Sequence, residues 1–306
     1  MPALRGSINW QLVCCLCTVL AALPSAAAAA AAVGAEAAGP DAAGAAAAPI
    51  GWSLEQADAR DLDTDRLLYR EQHWILRGSG AAPVERLVLY RCPDGTPFAR
   101  KQLDYRRSVI APTFELLDAR SGYREGLRRT PSPQLFVRNS QREAERSAAS
   151  PGRNLVADAG FDEFVRGHWA SLVAGRTASI DFALPSRLRI YDFCLSRRGQ
   201  ARVAGEDALL LRLRIGGVLG WIAPHVDVAY GLRSRRLLRF EGPTNLHAPS
   251  GQGNWKARIE FREPARPSSA AARDAAAALT LSGCRPGQLA DSPAPRADTR
   301  DATAFY

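Results

Sequence analysis

The chain has 306 residues, 46% of them hydrophobic, and a formal net charge of +9 at pH 7. Its length and apolar content are ample for a full core, which excludes a wholly disordered chain. The cations are nearly all arginine, with Lys101 and Lys256 the two lysines, a usage that a GC-rich genome produces by itself, so the charge reads first as a solvated surface and second as attraction to anionic partners.

In chain order, Met1–Asn9 carries one cation, Arg5, and Trp10–Leu23 is an uninterrupted apolar run followed by an alanine tract with many A-x-A registers. That layout predicts a secretory signal peptide over 1–33, the run being short for an ordinary spanning helix. The expected location is therefore periplasmic or secreted. Export argues against nucleic acid as a partner and leaves anionic lipid, lipopolysaccharide, acidic glycan or an envelope protein, with peripheral membrane contact. Removal of the leader takes three of the six cysteines and leaves Cys92, Cys194 and Cys284. A Cys92–Cys194 bridge between the two halves of the domain and a pair of buried free thiols fit equally well, since three cysteines allow three pairings.

Residues 34–50 form an Ala/Gly/Pro linker and 264–306 an Ala/Pro/Arg/Ser tail. Both are too poor in large apolar side chains to offset ordering entropy, so both are expected to be disordered, with at most a transient helix over Ala270–Leu281. Between them, 51–263 is one β-rich domain. Alternation predicts strands at Arg66–Arg77, Val84–Arg91, Phe98–Tyr105, Thr113–Ala119, Tyr123–Arg129 and Gln134–Arg138, with Asp94-Gly95 a hairpin turn and Ser140–Gly152 a mobile loop. The period then shifts to 3.6. Phe161, Phe164, Val165, Trp169, Leu172 and Val173 share one stripe, which predicts a helix over 159–174. Asp158 suits its N-cap, Asp162 and Glu163 its positive end, and Gly175 the residue beyond it. Strands resume at Thr177–Leu184, Arg187–Phe193, Ala208–Ile215, Val226–Tyr230, Arg236–Phe240 and Trp255–Arg262. The fold class is mainly β (α+β): a curved antiparallel sheet or open half-barrel clasping one amphipathic helix.

Chemical motifs are scarce. The sequence has no G-x-S-x-G elbow, phosphate loop, H-E-x-x-H or dinucleotide fingerprint, and its four histidines stand at no metal spacing, so no metal and no cofactor is expected. His168 reads as a satisfied histidine at the core edge. The sharper reading is a general base oriented by Asp158 or Asp162. His225 and Asp227 share a strand face. Glu241 and Asn245 follow a strand into a turn and could line a rim. Arg187, Arg189, Arg212, Arg214, Lys256 and Arg258 project from the face opposite the apolar one. If neighbouring strands set them side by side, they make a basic face for acidic head groups or phosphate.

The order of Phe161-Asp162-x-Phe164-Val165 with Trp169, then Pro185-Ser186-Arg187, Val226-x-Val228-x-Tyr230 and Arg236-x-Leu238-x-Phe240-Glu241-Gly242 with Asn245, resembles uncharacterised exported bacterial proteins. The closing run is similar to a periplasmic domain family of unknown function allied to lipoprotein-carrier-like half-barrels. The likeness spans Tyr69–Phe261 and carries no catalytic motif; the Arg-rich outer face and the Ser140–Gly152 loop depart from it. It implies a curved sheet around a helix, with an apolar cavity for acyl chains or a peptide-like partner. The expected function is a non-enzymatic cell-envelope protein that binds a lipid or envelope partner in the helix–sheet concavity. Phe161, Phe164, His168, Trp169, Arg187, Arg212 and Arg258 are its candidate ligand-binding residues. The alternative is a hydrolase of an envelope ester or glycan that uses a His–carboxylate pair.

Overall fold

The computed structural model describes residues 51–79, 81–129, 132–149, 155–216, 225–249 and 253–284, all within one compact unit, Gly44–Tyr306. The expected leader 1–33, the linker 34–50 and the tail beyond 284 lie outside the described residues.

The sheet begins in its own middle. From β1 (Gly51–Asp61) an antiparallel meander runs outward through β2 (Leu67–Arg77), β3 (Pro83–Arg91), β4 (Pro97–Asp104), β5 (Thr113–Asp118), β6 (Tyr123–Arg129), β7 (Pro133–Arg138) and β8 (Arg146–Ala149). The chain restarts at the far edge with β9 (Leu155–Ala157), paired in parallel with β10 (Ala178–Leu184). It returns through β11 (Arg189–Val203), β12 (Glu206–Ile215), β13 (Val226–Gly231) and β14 (Leu237–His247) to β15 (Asn254–Glu260). There β15 closes onto β1, with Ile259 opposite Ala59.

The two ends of this sheet curl towards each other. Leu135 and Val137 of β7 share one core with Leu155, Ala157 and Ala183 from the opposite edge. A 3-10 turn at Pro185–Arg187 packs on β6 and β7. The result is the curved, open barrel that the alternation predicts, and every strand expected from that alternation is present. Inward positions at one end bring Tyr69 onto Trp255, ring centroids 5.3 Å apart. The Arg120 guanidinium lies 4.5 Å from both the Phe98 and the Trp255 ring.

The helix occupies the concavity, against β10 to β13. Phe164, Val165, Trp169 and Leu172 pack with Ile180, Leu195, Leu209, Leu211 and Val228. It is two helices where the stripe predicted one: α1 (Gly160–Gly167) and α2 (Trp169–Val173), broken at His168. Gly167, a poor helix former, precedes the break. Nor is Asp158 the N-cap. That position is Ala159, with no side-chain cap, while Asp158 sits in the left-handed region at φ 45° and spends its carboxylate on Lys101, 2.8 Å away.

Two segments expected to lack structure have it. Ser140–Gly152 contains β8. The tail carries a two-residue strand, β16 (Arg266–Pro267), beside Ser53 and Leu54 of β1, and then α3 (Ala270–Ala278) on the outer face. A disulfide from Cys284 to Cys92, Cα atoms 5.7 Å apart, anchors that tail and leaves Cys194 free. This covalent anchor, invisible in composition, offsets ordering entropy without large apolar side chains.

Candidate functional site: a groove between helix and sheet

A groove of about 460 Å³ opens between α1 and β10. Phe164, Ile180 and Ile110 supply its apolar lining, and Glu163, His168, Ser179 and Asp181 its polar one, with Gly167 at the helix break. Gly160 allows this close approach: a Cβ there would meet the Ile110 carbonyl oxygen at 2.1 Å. The Ile110 carbonyl also accepts from the Ala157 backbone at 3.0 Å, which ties the wall to β9.

His168 is exposed and stacks on Phe164 with centroids 4.0 Å apart. Its Nδ1 lies 2.9 Å from the Phe164 carbonyl oxygen. That oxygen can only accept, so Nδ1 carries the proton and Nε2 is the acceptor of the neutral ring. His168 thus faces solvent from the groove wall and is not a buried member of the stripe.

Behind the groove, two buried polar networks fix α1 in place. Asp162 accepts from Tyr230 at 2.8 Å and from both terminal nitrogens of Arg86 at 3.3 and 3.4 Å. Burial works to raise the Asp162 carboxyl, but Arg86 and Arg166 outweigh it and hold it below the ordinary carboxylate range. One turn earlier, Asp158 receives Lys101 and the Asn245 amide, the latter at 3.4 Å. Asn245 also donates to Glu125 at 2.8 Å, and Tyr123 donates to the other Glu125 oxygen at 2.9 Å. Burial raises the Glu125 carboxyl despite those two donors.

Arg86, Lys101, Glu125, Asn245 and Tyr230 were not singled out as a group from sequence. A signal existed: Arg86 falls in phase with the inward Val88 and Tyr90, Lys101 with Ala99 and Leu103, and Glu125 with Tyr123 and Leu127. A charge in the apolar phase of a strand marks a buried ion pair.

Of the seven expected ligand residues, the groove brings together Phe164 and His168. Phe161 is half-buried, its ring edge-on to Phe182 at 6.3 Å, and Trp169 is buried beneath Arg235, 5.5 Å from its ring centroid. Arg187 lies exposed in the 3-10 turn. Arg212 and Arg258 stand on the outer face, away from the groove. There like charges meet in places, as Arg258 meets Arg60, but acidic side chains are interspersed among the arginines. Arg212 is opposite Asp227, Asp227 opposite Glu241, and Glu241 opposite Arg258. Arg212 holds Asp227 with two hydrogen bonds, and Arg258 pairs with Asp65 and, at 3.5 Å, with Glu260. The expected basic face is a mixed-charge surface on which acidic side chains partner Arg212 and Arg258.

The His–carboxylate geometries lie elsewhere. His225 is 3.6 Å from Asp227, whose carboxylate Arg212 already holds. His73 bonds Glu71 at 2.7 Å in the interior, both side chains buried. Among the described residues, no cluster of His, Cys, Asp and Glu could hold a metal ion.

No family model and no curated protein matches the chain. Among solved structures, a beta-barrel-like protein of a domain of unknown function, DUF1849, from Brucella abortus is similar, at 7% identity and a TM-score of 0.44. The likeness covers 70% of this chain and 97% of that one. The chain is similar to a beta-barrel-like domain of unknown function. That likeness concerns the course of the backbone, and the functional reading rests on the groove.

Proposed function

We propose that this protein is an exported, non-enzymatic envelope protein that binds a lipid or the apolar segment of an envelope partner in the groove between α1 and β10. The observation that carries the reading is the groove itself: an apolar lining of Phe164, Ile180 and Ile110 with a few polar groups at its edge, the usual make-up of a small-ligand site. The Cys92–Cys284 disulfide supports residence in an oxidising compartment, which is where the leader would send the chain. Acyl chains or apolar side chains suit the lining better than anionic head groups do, because the ionisable residues there are Glu163, Asp181 and His168 and not arginines. The hydrolase alternative has less support. His168 spends Nδ1 on a carbonyl, leaving no carboxylate to orient it.

The test is titration of a fluorescent fatty-acid probe into the purified protein and into Ile180→Arg, which places a charge in the apolar wall. Saturable binding that the substitution weakens tenfold or more, about 1.4 kcal/mol, in a variant whose melting and circular dichroism match the parent's, supports the reading. Equal binding by both proteins, with unchanged melting, sinks it.

A further inference from the structure

We propose that the ligand of the α1–β10 groove is a small cationic amphiphile, one alkyl chain ending in an ammonium group, whose charge sits against Asp181 and Asp192. The inference rests on the groove as the binding site and adds the chemical class of its occupant. A volume of about 460 Å³ falls in the lower part of the span of small-molecule sites, roughly 300–1,000 Å³, and suits a single chain. That chain would lie along Ile180, Ile110 and Phe164.

The sign of the charge follows from the rim. Asp181 lines the groove, and Asp192 of β11 stands directly opposite it across the β10–β11 pair. Facing residues of an antiparallel pair project on the same side of the sheet, so the two carboxylates are neighbours. Both are exposed, and among the described residues neither has a hydrogen-bond or ion-pair partner. That sets them apart in a chain of net charge +9, where other strand carboxylates are matched with arginine: Glu115 with Arg124, Asp227 with Arg212, Glu260 with Arg262. Like charges directly opposite each other are destabilising, and a cation placed beside both offsets that repulsion.

The other polar groups of the groove agree with that sign. His168 presents Nε2 as an acceptor when its ring is neutral, and Ser179 offers a hydroxyl oxygen. Glu163 adds a further carboxylate, held by Arg166, and none of the lining residues is Lys or Arg. An ammonium head brings three N–H donors to these acceptors, whereas an anionic head would meet carboxylates and no cation. A metal ion fits less well: among the described residues no three His, Cys, Asp or Glu side chains converge, and the adjoining wall is apolar. A solvent-exposed ion pair changes affinity by roughly fivefold or less, so two carboxylates set a preference on the order of tenfold.

The experiment titrates octylamine, octanol and octanoate, each below its aggregation concentration at neutral pH, into the purified disulfide-bonded protein and into the double variant Asp181→Asn, Asp192→Asn. Ligand nuclear magnetic resonance reads the binding. The parent is expected to take octylamine on the order of tenfold more tightly than octanol, and octanoate more weakly than octanol. High salt screens exposed charges and should bring octylamine and octanol towards parity. The double variant should bind those two alike, with the octanol affinity of the parent. Octanol or octanoate held by the parent as tightly as octylamine overturns the proposal and leaves the groove standing as a site. A preference for the amine that survives in the folded double variant overturns it too. So does a preference that high salt leaves unchanged, which keeps the test decisive should the double variant not fold. Failure of all three to bind the parent overturns the groove reading itself, and this inference with it.

Discussion

Asp158 and Asp162 stand four residues apart, and the sequence offers them as the start of a helix or as partners for His168. In the fold each fastens α1 to a different strand, through Lys101 of β4 and Arg86 of β3. Removing one partner of a buried pair leaves the other charged and unsolvated. Arg86→Met should therefore cost about 3–5 kcal/mol in urea unfolding, and Arg86→Met with Asp162→Leu should recover most of it. A double variant no more stable than Arg86→Met alone would show that the pair is not coupled. The two buried carboxyls also pull stability in opposite directions with pH. The Asp162 carboxyl is depressed in the folded state, so its contribution is present above the unfolded carboxylate range and is lost as pH falls through the folded value. The Glu125 carboxyl is raised, so its contribution is present below the unfolded value and is lost as pH rises through the folded one. Glu125→Gln should accordingly stabilise the protein near neutral pH, by on the order of 1 kcal/mol, and lose that advantage under acidic conditions. A uniform loss of stability at every pH would contradict the assignment.

At the scale of elements, what the sequence disclosed depended on where large apolar side chains fall. Twelve strands announce themselves because an apolar phase alternates with a charged one, as in Trp255, Ala257, Ile259 and Phe261. The central strand does not. Its inward residues are Ser53, Glu55, Ala57 and Ala59, and its bulky Trp52 and Leu54 point out beneath α3, so β1 has no apolar phase facing the barrel. β9 has three buried residues, Leu155, Val156 and Ala157, and so no alternation at all. The helix stripe was legible, but its break at His168 was not, since Phe164, Trp169 and Leu172 keep the period across it. The groove was half legible. The sequence pointed to Phe164 and His168 from the stripe, yet Ile110 and Asp181 join them only through tertiary contact. Gly160 is the residue on which that junction turns. Gly160→Ala should destabilise the protein by about 1–3 kcal/mol, as overpacking against the Ile110 backbone does, and a Tm equal to that of the parent would show that the loop yields freely.

For the whole molecule, packed aromatic rings and buried ionic networks fill the barrel interior among the described residues, and the α1–β10 groove is where we propose that a ligand enters. The outer face, with Arg212, Asp227, Glu241 and Arg258 across neighbouring strands, carries charges of both signs. Binding in the groove is the central claim, and native mass spectrometry of the protein purified from its own cells, beside a folded Ile180→Arg, tests it most directly. The account predicts a bound apolar molecule on the parent protein and its loss from the variant. A parent protein that is folded, disulfide-bonded and consistently of the bare polypeptide mass would contradict it.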